Sequence, residues 1–152
     1  MEFTASEIEK IVQRILTEKL SGLTPVGDSC KEYADGVIKV ALPQYRLHPG
    51  INWIQEARDT RYIHDVLLLE ESRRLGCGIM EMKETTFDWT LNYDEIDYVI
   101  EGSLRINKGN ASVTAGPGEM ILIPKDSRIQ FSVADKARFL YVTYPADWMG
   151  GN

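Results

Sequence analysis

Histidine is scarce in this chain: its 152 residues include two, His48 and His64, and neither has a His, Cys or acidic partner at a ligand spacing. Both read as ordinary surface or hydrogen-bonded side chains. Cysteine is equally sparse, and Cys30 and Cys77 lack the spacing and companions of a zinc site, so they read as structural thiols. No apolar run approaches the roughly 20 residues of a membrane span. The first residues, Met1 to Ser6, lack the basic and apolar segments of a signal peptide, and a cytoplasmic location without membrane partners is expected. There is no Gly-rich phosphate loop and no nest of glycines before a helix N-terminus. Clustered Lys and Arg are also missing. With a pI near 5.0 the surface is not expected to bind nucleic acid.

What is present is a globular composition, 43% hydrophobic and 26% charged, enough for one domain with a core and an appendage. The acidity is local. Residues 81–101 hold seven acids against the single base Lys83, a surplus equal to the formal charge of −6 on the whole chain. A solvated sheet face with acidic loops is the plain interpretation of such a surplus.

Residues 4–20 carry Ile8, Ile11, Val12, Ile15, Leu16 and Leu20 at the spacing of one apolar helical stripe. Thr4 and Glu7 form a capping box, Phe3 and Ile8 a hydrophobic staple, and Gly22 a stop. A helix of this length is marginal alone in water, so the stripe must dock on its own domain, a second copy or another protein. A turn-rich linker follows.

From Gly36 the pattern changes to short apolar runs broken by turns. Nine strands are predicted: Val37–Leu42, Asp65–Glu70, Cys77–Met82, Ile96–Ile100, Ser103–Asn107, Ala111–Thr114, Glu119–Ile123, Arg128–Val133 and Phe139–Thr143. Many short strands with little helix imply an antiparallel sandwich or barrel. Asn107 to Asn110 supply a hairpin turn, and Met120–Ile123, apolar on both parities, predicts a strand buried on both faces. The segment Leu47–Ile63, with Trp53 and several charges, is expected to cover a barrel mouth.

Along residues 93–100 a period of two puts Tyr93, Glu95, Asp97 and Val99 on one face and Ile96, Tyr98 and Ile100 on the other. Residues two apart on a strand lie roughly 6.5–7 Å apart, so in an enclosed face each carboxylate raises the other's proton affinity. Glu95, Asp97 and Tyr93 are the candidate catalytic residues, with Trp89 as an aromatic wall. If Glu95 points inward, Ile96, Tyr98 and Ile100 form an apolar outer face that needs a cover, and a two-fold homodimer is expected.

Glu95 followed by Gly102 resembles the first motif of the cupins, and Gly118-x5-Pro124-x-Asp126 resembles the second, with Asp126 in place of its last glycine. The resemblance implies a jelly-roll β-barrel whose metal is held by two histidines before the Glu and a third after the second motif. Here those positions fall within Asp88–Leu91 and at Ile129, so no transition metal is expected at that site. A hard ion such as Mg²⁺ would have Glu95, Asp97 and Asp88 to draw on.

Over its whole length the chain is similar to a narrower cupin family, the ethanolamine-utilisation protein EutQ. The matching residues are Glu95 to Gly102, Phe87 to Leu91, Ala115 to Glu119 with Ile123 to Lys125, and the ending Tyr144 to Trp148. The resemblance implies an acetate kinase using ATP and Mg²⁺, and a role in bacterial microcompartment assembly, with residues 4–20 docking on a shell or enzyme partner. On this reading Trp89, Tyr98, Glu81 and Lys125 are candidate substrate-binding residues. Lys83, Arg105, Lys125 and Arg128 are nearby cations. The expected layout is an amphipathic helix over 1–22, a linker over 23–35 and a single cupin domain over 36–152. A non-catalytic scaffold, and a metal-free cupin isomerase or lyase acting through Tyr93 and Glu95, are the alternatives.

Overall fold

The structure is a computed structural model that describes residues 30–45 and 61–149. The chain divides into two compact units, Met1–Arg46 and Leu47–Asn152. The expected helix over 4–20, the first part of the linker, His48 and the mouth-covering segment up to residue 60 lie outside the described residues.

In the first unit β1 (Lys31–Ala34) and β2 (Val37–Val40) pair antiparallel with Ala34 opposite Val37. Asp35 and Gly36 form the two-residue turn, both at positive φ (45° and 81°), the geometry that matches the twist of a tight hairpin. The linker expected over 23–35 is therefore corrected at its end, where Lys31–Ala34 is a strand. The predicted strand Val37–Leu42 stops at Val40 because a 3-10 turn with Pro43 in its first turn begins at Leu42.

The second unit contains β3 (Arg61–Leu67), β4 (Gly76–Leu91), β5 (Asp94–Gly102), β6 (Leu104–Lys108), β7 (Ala111–Ala115), β8 (Met120–Ile123) and β9 (Ser127–Tyr144). All pairings are antiparallel. The order is β3-β4-β9-β5-β8, with β6 joined to β9 and β7 to β6. β9 is the spine: β4 runs beside it from Leu91↔Ser127 to Gly76↔Thr143, while β6 and then β5 take its other edge. Among the described residues no helix is long and apolar enough to cross a membrane.

One predicted strand is too short and two others are one. Cys77–Met82 continues to Leu91, and Arg128–Val133 joins Phe139–Thr143 through the exposed residues Ala134 to Lys136. β4 survives its polar middle by a bulge between Lys83 and Thr85, with Glu84 at φ 44°. The extra residue flips the parity. Gly78, Met80 and Met82 face inward before it, and Phe87, Trp89 and Leu91 after it. A second bulge, between Val99 and Glu101, bends β5 on the other edge of β9. Gly102, at φ 77°, ends that bend where a Cβ would lie 1.9 Å from the Lys136 carbonyl oxygen, so the motif position admits no side chain.

The core holds Met82, Leu91, Val99, Leu104 and Phe139, each 2% exposed or less. Each fully buried aliphatic or aromatic side chain of this kind contributes roughly 1.5–3 kcal/mol. β8 departs from expectation. Ile121 and Ile123 are buried, but Met120 and Leu122 are 63% and 60% exposed because no described element covers the outer face of β8.

Candidate active site

Cross-strand register builds the site in rows. Asp65 of β3, Gly78 of β4, Tyr141 of β9, Asp97 of β5 and Ile121 of β8 stand in one inward row. The next row is Gly76, Thr143, Glu95 and Ile123. The two glycines make room: a Cβ at Gly78 would lie 2.0 Å from the Tyr141 hydroxyl, and one at Gly76 2.1 Å from Thr143 Oγ1. Tyr141 therefore lies across β4, and its hydroxyl donates to Asp65 Oδ1 at 2.6 Å.

Glu95 and Asp97 are 7% and 0% exposed. Apart from the proton it shares with Glu95, Asp97 has no hydrogen-bond partner at either oxygen, and Thr143 Oγ1 has none. Burial raises the pKa of both carboxyl groups. Glu95 rises to about 7, with proton sharing toward Asp97 lowering it somewhat. Asp97 rises well above the usual carboxylate range, first by burial and then by the charge of Glu95. At neutral pH the pair retains at least one proton.

Glu95, but not Asp97, lines a cavity of about 40 Å³. Trp89, Tyr93, Tyr141 and Trp148 wall it, and Arg61 stands at its edge with its guanidinium 4.0 Å over the Phe87 ring. Trp89 Nε1 donates to the Tyr93 hydroxyl at 2.8 Å. Burial pushes the Tyr93 phenol up, followed by the charge of Glu95, so it is a neutral donor at any physiological pH.

The sequence-predicted residues thus divide. Glu95, Asp97, Tyr93 and Trp89 come together. Tyr98 is 44% exposed on the opposite face of β5. Glu81 pairs with Arg138, its cross-strand neighbour, in another groove. Lys125 is exposed in the turn before β9, with its backbone N–H donating to Asp94 Oδ1. Asp88 cannot join Glu95 and Asp97 on a hard ion: it is exposed on the outer side of β4, where Gln130 donates to it. Arg105 is likewise exposed and donates to Asn107 and Ser112. The expected histidine positions hold Trp89, Leu91 and Ile129, which are inward-facing and apolar or aromatic. Among the described residues no group of three or more His, Cys, Asp and Glu side chains converges.

Sequence reasoning gave Asp65 and Tyr141 no site role and set Arg61 in the mouth-covering segment, which is corrected at its end since Arg61–Ile63 begin β3; strand pairing brings these residues in, and Trp148 had no role beyond a family signature. A larger depression, about 580 Å³, lies on the outer sheet face among Asp88, Thr90, Asn107, Arg128 and Gln130. It is an open surface whose lining includes neither Glu95 nor Asp97, and the buried cavity is the better candidate for chemistry.

Residues 3–150 match the family model described as ethanolamine utilisation protein EutQ. The chain is 51% identical over 147 residues to a Clostridioides difficile (strain 630) protein named acetate kinase EutQ, covering 95% of this chain and 94% of that one. The solved structure of the Clostridium difficile EutQ protein superposes with a TM-score of 0.76 at 53% identity, over 80% of this chain and 90% of that chain. A cupin domain of a transcriptional regulator from Enterobacter cloacae superposes with a TM-score of 0.50 at 12% identity, over 56% and 96% of the two chains, a likeness of fold alone.

Proposed function

The chain belongs to the EutQ family of ethanolamine utilisation proteins, and from that premise we propose that it is an acetate kinase whose acetate site is the floor of the aromatic cavity. The observation that carries the reading is the buried Glu95–Asp97 pair, which keeps a proton near neutral pH and whose Glu95 lines a cavity of about 40 Å³. An ionised pair would repel acetate. A protonated one donates a hydrogen bond to one acetate oxygen and leaves the other free to attack.

In the reaction that oxygen forms a bond to the γ-phosphorus of ATP, the bond from that phosphorus to the β–γ bridging oxygen breaks, and ADP and acetyl phosphate result. The chain's own part is to orient and desolvate the nucleophile. A nucleotide does not fit a cavity of this size and would meet the acetate from the mouth. A resident Mg²⁺ does not fit either: the ion keeps several waters, and the available carboxyls hold a proton in space for about two or three waters. Mg²⁺ is then part of the nucleotide substrate. The outer face of β5 and β8, which no described element covers, supports a homodimer, and the family supports a cytoplasmic protein associated with a microcompartment through residues 4–20.

The test is single-turnover acetyl phosphate formation by highly purified protein beside Glu95→Ala and Glu95→Gln. Alanine removes the donor and is expected to lower kcat/KM about 10- to 100-fold. Glutamine keeps a donor and should remain active while losing the fall in activity above pH 7. Equal rates for the parent and Glu95→Ala would assign the activity to another site or to a contaminant, and the scaffold reading would replace this one.

A further inference from the structure

Trp148 lies in the irregular segment after β9, and among the described cavity walls only it and Tyr93, in the turn between β4 and β5, do not come from a strand. Its indole meets three rings edge-on or tilted, with centroids 5.8 Å from Tyr93, 6.1 Å from Tyr141 and 6.4 Å from Trp89. Its Nε1 points to Asp65 Oδ1 at 3.4 Å, the same oxygen that receives the Tyr141 hydroxyl. Trp148 therefore occupies the space into which any ligand larger than the present cavity would grow. The strand-borne walls are fixed by cross-strand register. Among the described residues, Trp148 is held by ring contacts and one long hydrogen bond.

We propose that Trp148 sets the substrate size of the site: its indole confines the acid held by Glu95 to about two carbons, and a smaller residue at 148 opens the same floor to longer and aryl carboxylic acids. The size argument is direct. A space of about 40 Å³ holds about two or three waters, the bulk of about four non-hydrogen atoms, which is acetate. Large aromatic side chains cover on the order of 150–250 Å² when buried, and Trp148 is partly buried against the core, so truncation of the indole opens an apolar chamber lined by Trp89, Tyr93 and Tyr141. The carboxyl pair and the cation at the edge stay in place, so the gain is confined to acids. Arg61, a lining residue, adds positive charge to the field of the cavity.

The inference rests on the acetate-site reading for the head group, but its test needs neither ATP nor turnover. Equilibrium binding of acetate, butyrate and benzoate is measured by calorimetry at pH 6 for the parent, Trp148→Ala and Trp148→Phe. The parent is expected to take acetate and reject benzoate. Trp148→Ala should bind benzoate at least about 10-fold more tightly than the parent, and Trp148→Phe should gain butyrate but not benzoate. Trp148→Phe keeps a ring against Tyr93 and so answers the question if the alanine variant unpacks. Equal benzoate affinity in all three proteins overturns the proposal. Failure of the kinase alone would appear as acid binding without acetyl phosphate, an outcome that leaves the role of Trp148 standing.

Discussion

Asp97 and Tyr141 stand opposite each other on β5 and β9, yet the tyrosine turns away: its hydroxyl donates to Asp65 at 2.6 Å, and nothing but the proton shared with Glu95 reaches the Asp97 oxygens. A buried carboxyl in that position is tolerated as an acid far better than as an anion. The consequence is a stability that falls as pH rises. Both carboxyl groups bind protons more tightly folded than unfolded, so between the ordinary values of 4.5 and 3.8 and their raised folded values the native state holds more protons. Unfolding then releases protons, and the slope of stability against pH is negative. For Glu95, raised to about 7, the loss between pH 4.5 and 7 is on the order of 3 kcal/mol. Urea denaturation at pH 5, 6, 7 and 8 should show it, with Glu95→Gln and Asp97→Asn each flattening the curve. A parent protein of constant stability over that range would show that the pair is ionised when folded.

Gly78 is expected to be intolerant of even a methyl group. A Cβ there would meet the Tyr141 hydroxyl at 2.0 Å, its Cζ at 2.1 Å and the His64 carbonyl oxygen at 2.5 Å. The last contact is backbone, so rotation of Tyr141 relieves only part of the clash. Gly78→Ala should cost about 2–4 kcal/mol, combining overpacking with loss of the hydrogen bond to Asp65. A change below 1 kcal/mol in denaturant midpoint analysis would mean that β3 and β4 shift apart freely, and the row from Asp65 to Asp97 would not be rigid.

Alternation along residues 93–100 was sufficient to place Tyr93, Glu95 and Asp97 on one buried face, because β5 has no bulge before Val99. Alternation does not carry through β4 in the same way. The bulge at Glu84 exchanges inner and outer parity, so Trp89 faces in and Asp88 out by a device that periodicity does not reveal. Asp126 shows the reverse case. It replaces a motif glycine and keeps the glycine-like φ of 64°, which aspartate accepts more readily than most residues. Trp148 and Asp65 were invisible as site residues since their proximity to Glu95 depends on chain segments 30 or more positions apart meeting through β9.

The outer face of β5 and β8 offers the last test. Ile96 pairs with Leu122 and Tyr98 with Met120, and the four side chains are 36%, 60%, 44% and 63% exposed, forming a contiguous apolar patch beside Tyr144. Such a patch on an edge strand invites association, by face packing or by pairing of strands. Because a single charge in the centre of a two-fold interface is met twice, Leu122→Glu should weaken association by at least about 2 kcal/mol, roughly 30-fold in Kd. Light scattering should give the parent twice its 17.2 kDa chain mass and the variant close to one chain mass at micromolar concentration. Circular dichroism should be unchanged, since Leu122 touches solvent and not the core. A parent that scatters as a single chain would remove the dimer, and the patch would then await a different protein as its cover.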